Sequence, residues 1–146
     1  TYWKRTAPPP YMMNFDSPNR EQCTVFENRT NSPLQSLDLM NDVTFVEAAR
    51  KLAERIMTEG GATTQTRIDY GYGLVLARPP GARHAEVLGR AFEKFAAQFR
   101  AAPQAAAAFV HAGDSAVRPG LDAAELAAYA SVASLILNMD EAITKE

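Results

Sequence analysis

The 146-residue chain has a single cysteine, Cys23. An internal disulfide, a thiolate-rich zinc site and a CxxCH haem attachment are therefore excluded within it. Basic blocks are lacking too: 15 Lys and Arg against 17 Asp and Glu leave a net charge of -2. Without a positive stripe to neutralise phosphates, nucleic acid is not an expected partner. The longest apolar runs, such as "AAAAFV" and "SVASLIL", fall well short of the roughly 20 residues that span a bilayer, so no membrane span is expected. The two histidines, His84 and His111, belong to no HExxH pair, and no metal site is expected.

Apolar residues make up 47% of the chain, enough for one sizeable core and hardly two. The reading is a mainly α fold: a compact helical domain of five to six helices over 32–146, preceded by an irregular proline-rich segment over 1–31. In that segment Pro8, Pro9, Pro10 and Pro18 each remove a backbone donor. Its aromatic and methionine content is too high for a freely solvated tail, so it is expected to pack on the helices, with a short strand near "CTVFE" and Cys23 buried as a small hydrophobe. The chain opens on Thr1 with neither an initiator methionine nor a charged-then-apolar signal pattern. It is expected to be a fragment of a longer multidomain protein.

Helix signals begin at Ser32. Ser32 and Gln35 have the spacing of a capping box, with Pro33 at the first helical position, and Leu34 and Leu37 share one side with Met40 nearby. Asn41 and Asp42 then offer a stop and a new cap. The next helix places Phe45, Val46, Ala49, Leu52, Ala53, Ile56 and Met57 on an apolar face and Glu47, Arg50, Lys51, Glu54 and Arg55 opposite, with Glu47 and Lys51 as an i,i+4 pair. A third helix is predicted over 64–77 with Ile68, Tyr72, Val75 and Leu76 inward, and the "GYG" at 71–73 is read as a site of close packing. A fourth, over 82–101, carries the stripe Val87, Leu88, Ala91, Phe92, Phe95 and Phe99. Pro103 starts a short alanine-rich helix, and Asp122 with Glu125 caps a last one running from Ala123 to about Thr144.

Two readings compete for the charged N-terminal residues. In one they are salt bridges that satisfy irregular backbone. In the other Asp16 or Glu21 acts as acid or base and Arg29 holds an anion, with Arg20 beside them.

The stretches "YWKRTAPPPYMMNFDSPNREQC", "RTNSPLQSLDLMNDVTFVEAARKLAERI", "LARPP" and "AYASVASLILNMDEAITKE" together resemble the C-terminal domain of unknown function found in secreted, cytochrome-c-associated proteins of planctomycetes. The resemblance implies a secreted or periplasmic setting and a non-catalytic module docking on neighbouring domains of the same polypeptide. Haem c, where present, would be attached to another domain, with no cofactor in this segment. Trp3, Arg5, Arg29, Thr30 and Asn31 are the docking candidates among the positions that match. The alternative it leaves open is a hydrolytic or redox site on polysaccharide, shared with the preceding domain and using Asp16, Arg20, Glu21 and Arg29.

Overall fold

A computed structural model describes residues 9–18, 23, 25 and 32–143. Among them the chain forms eight helices and no strand. Its internal contacts group into two units, Thr1–Asp42 and Val43–Glu146.

The first unit holds α1 (Pro10–Asn14) and α2 (Pro33–Asn41). Pro10 occupies the first position of α1, where a missing N–H costs nothing, which is how a short helix arises in a segment read as irregular. Asn14 Nδ2 donates to Asp38 Oδ2 at 2.7 Å and ties the two helices together. The capping box of α2 is present in both halves: Ser32 Oγ accepts from the Gln35 amide at 3.3 Å, and Gln35 Oε1 accepts from the Ser32 amide at 3.0 Å. The reach back inward makes Gln35 the buried residue of this helix. Leu34, Leu37 and Met40 are all more than half exposed. Of "CTVFE" only Cys23 and Val25 are described, and neither lies in a strand. Cys23 is exposed rather than buried. Val25, two residues on, is exposed as well.

The second unit comprises α3 (Val43–Glu59), α4 (Thr64–Leu76), α5 (Ala82–Ala101), α6 (Pro103–Val110), α7 (Ala123–Leu137) and α8 (Asp140–Ile143). The sequence "AAELAAYASVASLIL" makes α7 its centre, because alanine on most sides lets neighbours approach a helix that is apolar all round. α7 packs against α3, α4, α5, α6 and α8. Tyr129 stacks on Phe92 of α5 with ring centroids 4.4 Å apart. Asp122 caps α7 by accepting from the Glu125 amide at 2.8 Å. Glu125 does not complete the box, because its carboxylate is taken by Arg67 of α4 at 2.7 Å.

Three sequence expectations change here. The last helix does not run on to about Thr144. Asn138 Nδ2 caps the Ser134 carbonyl at 2.8 Å, and the Met139 amide turns back to Ile136, which tightens the last turn and ends α7 before α8 begins. On α5 the expected stripe holds at Leu88 and Phe92, with Phe95 and Phe99 packed on the core, but Ala96 joins the buried face and Val87 is exposed. On α3, Arg50 and Glu54 are buried although both fall on its polar side. Gly71 behaves as a packing residue: it is buried, and Ile56 of α3 lies directly against it.

Candidate functional site

The densest polar arrangement among the described residues lies between α3 and the loop that joins α6 to α7. Helical spacing puts Glu47, Arg50, Lys51 and Glu54 along one strip of α3, and the loop crosses that strip with its backbone turned toward it. Asp114 N donates to Glu47 Oε2 and Ser115 N to Glu47 Oε1, each at 3.0 Å. Arg50 Nη2 donates to the carbonyl and the hydroxyl of Ser115 at 2.9 and 2.8 Å, while its Nη1 meets Glu54 Oε1 at 2.7 Å. Glu54 Oε1 also accepts from the Arg118 amide at 3.2 Å, and Lys51 Nζ bridges Glu54 Oε2 at 3.0 Å to the Ala116 carbonyl at 2.7 Å. The expected Glu47–Lys51 pair is replaced, since Glu47 is engaged by loop amides and Arg50 and Lys51 by Glu54. Charge-assisted bonds to fixed amides outcompete an exposed ion pair, which is worth little in water.

Arg50 is 1% exposed, which makes this a buried guanidinium. Its Nε is buried with no hydrogen-bond partner among the described residues, so the charge is compensated through the two terminal nitrogens alone. The Ser115 side chain and the Asp114 amide hold the Glu47 carboxyl below its ordinary range. Burial pushes Glu54 upward, but Lys51, the Arg118 amide and Arg50 together outweigh it, and its carboxyl is also lowered. A general base works best when poised near the working pH. Both carboxylates are moved away from that condition, and together with Arg50 and Lys51 they clamp the loop onto α3.

The other polar groupings of this unit are smaller. Arg55, Glu59 and Tyr70 form an exposed cluster in which Arg55 meets Glu59 at 3.0 Å and the Tyr70 hydroxyl donates to Glu59. His84 Nδ1 pairs with the buried Tyr72 hydroxyl at 3.1 Å, and His111 Nδ1 with the Ala107 carbonyl at 2.8 Å. Among the described residues no three His, Cys, Asp or Glu side chains are grouped so as to hold a metal ion. Likewise no described helix is long and apolar enough to cross a membrane.

Of the catalytic and docking candidates read from the sequence, Asp16 is the one that is described. It sits at the end of α1 in a left-handed conformation, φ 54°, with its amide donating to Met13 O at 3.2 Å. Asp is among the few residues that tolerate this region. Arg20, Glu21, Arg29, Trp3, Arg5, Thr30 and Asn31 lie outside the described residues. Sequence reasoning missed Arg50 and Glu54, whose spacing on a charged helix face is indistinguishable from that of solvated ion pairs.

No curated protein and no solved structure matches the chain. Residues 1–92 match a family described as PSD1, protein of unknown function, DUF1553. The match begins with the proline-rich segment and ends inside α5, so "AYASVASLILNMDEAITKE" falls beyond it. With well over half its length matched, the chain belongs to the PSD1 (DUF1553) family of proteins of unknown function.

Proposed function

We propose that the chain is a non-catalytic helical module of a large exported, cytochrome-c-associated protein, and that it docks on a neighbouring domain of the same polypeptide. The observation that carries this reading is α2. A nine-residue helix is marginal in water on its own. This one is well capped, yet its buried residue is a glutamine while Leu34, Leu37 and Met40 are 57%, 56% and 51% exposed. Tyr11 and Met13 of α1 add further exposed apolar surface in the same unit. Apolar clusters left open in this way mark interaction surfaces, and covering them would supply the burial that α2 lacks.

The occupant of this reading is a neighbouring domain, since the resemblance implies that a second uncharacterised domain and, often, a haem domain belong to the same polypeptide. Haem c itself does not fit here: one cysteine cannot form the two thioether links of a CxxCH attachment. The redox context, the exported setting and any contact with polysaccharide would belong to the assembled protein. The test is a titration of the chain with the adjoining domain, each made separately. Binding is expected, and Leu37→Glu with Met40→Lys should abolish it while far-ultraviolet circular dichroism stays unchanged. Absence of binding by the unaltered chain, or equal binding by the double variant, overturns the proposal.

A further inference from the structure

The loop between α6 and α7 contains a segment, 113–120, bounded by glycines at φ +95° and +84°. Between those glycines its ties to α3 are mainly polar. The amides of Asp114, Ser115 and Arg118 end on Glu47 and Glu54, and the carbonyls of Ser115 and Ala116 accept from Arg50 and Lys51. Val117 is the one large apolar side chain of the segment that packs on the core. A segment held by many polar bonds and little apolar burial has its own, lower, opening free energy than the helices around it. Gly113 fits the arrangement closely, since a Cβ there would stand 2.1 Å from Glu47 Oε2.

We propose that residues 113–120 form a strap, hinged at Gly113 and Gly120 and latched by Glu47, that opens ahead of the helical core when the Glu47 carboxylate is neutralised. Both oxygens of that carboxylate are required, one for each amide. An amide in place of the acid sets a donor against a donor at one of the two positions, and protonation removes the charge that strengthens both bonds. Glu47 is faced by Arg50 from α3 and by Asp114 and Ser115 from the strap. Glu54 is faced by Arg50 and Lys51 from α3 and by Arg118 from the strap. No described histidine is bonded to either carboxylate: His84 bonds Tyr72 and His111 bonds Ala107. Because the Glu47 carboxyl is lowered from 4.5, the latch is intact above that value and is lost as the pH falls through its lower folded one. Opening would leave Arg50 Nη2 without either Ser115 partner and would bare a guanidinium that is otherwise sealed.

Amide exchange of the whole chain, corrected for the intrinsic pH dependence of exchange, tests this from about pH 7 to about pH 3, across the carboxyl range. The amides of Asp114, Ser115 and Arg118 should lose protection by roughly tenfold or more before those of α3 and α7 do, a single lost hydrogen bond to a charged group being of that order. Glu47→Gln should produce the same loss at about pH 7, with helix protection unchanged. Simultaneous loss of strap and helix protection in the unaltered chain overturns the proposal, as does undiminished strap protection in Glu47→Gln. Should that variant fail to fold, the pH series on the unaltered chain decides alone.

Discussion

Gly71 of α4 lies so close to Ile56 of α3 that a Cβ on the glycine would stand 2.5 Å from Ile56 Cδ1. Ile56 is fully buried and cannot swing out to solvent. Gly73, two residues on, has no heavy atom within 4 Å of the corresponding position. Both glycines sit inside a helix, where alanine is worth about 1 kcal/mol more. At Gly73 that gain should appear nearly whole, and Gly73→Ala should raise stability by roughly 0.5–1 kcal/mol. At Gly71 it is opposed by overpacking of about 1–3 kcal/mol, so Gly71→Ala should be net destabilised. Urea denaturation of the two variants separates them. Equal stabilisation by both would contradict the close approach of α3 and α4.

Arg50 and Glu54 should respond unequally to removal. Glu54→Leu leaves a guanidinium that is 1% exposed without its carboxylate, and the loss of one partner of a buried pair costs about 3–5 kcal/mol. Arg50→Met leaves Glu54 with Lys51 at 3.0 Å and the Arg118 amide at 3.2 Å, so its cost should be smaller. The double variant buries no unpaired charge and should lose clearly less than the sum of the singles, a coupling that a double-mutant cycle reads directly. Additive losses would mean that the pair contributes nothing beyond its separate parts.

What the sequence made legible follows from the range of each interaction. The start signals at Ser32, Pro103 and Asp122 involve partners within four residues, and each initiates a helix where expected. Asn138 is local as well, but its side chain competes for a carbonyl that the helix also uses, and an apolar period does not register that competition. The clamp was not legible, because Arg50 and Glu54 find Ser115 and Arg118 some 65 and 64 residues away. Periodicity assigned both to a polar face without showing that a loop covers it. Leu34, Leu37 and Met40 present the opposite case. Their spacing marks an apolar side, but no pattern within α2 specifies what, if anything, packs on it. Of the acid, base and anion-holding candidates read from the leader, Asp16 alone is among the described residues. Its geometry there is that of a helix terminus.

The pH profile of stability should have two limbs with separable origins. Ser115 and Asp114 lower Glu47, hydrogen bonds and charge from Lys51, Arg118 and Arg50 outweigh burial to lower Glu54, and Arg55 followed by Tyr70 lowers Glu59. Groups lowered by folding stabilise the native state above their unfolded values, and that contribution is lost as pH falls through the folded ones, so the acid limb begins below the usual carboxyl range. Tyr70 moves the other way. The Glu59 carboxylate beside it raises its phenol above 10.0. Its contribution is complete below the unfolded value and disappears as pH rises through the folded one, which gives an alkaline limb. Tyr70→Phe should therefore remove one late-titrating phenol from a tyrosinate absorbance titration and flatten the alkaline limb. The acid limb should persist in the share carried by Glu47 and Glu54, while Glu59 keeps Arg55 but loses the lowering that Tyr70 supplies. Because Arg55 and Glu59 are exposed, added salt should reduce the alkaline contribution more than the acid one. An alkaline limb unchanged in Tyr70→Phe would place its origin in another phenol or a lysine.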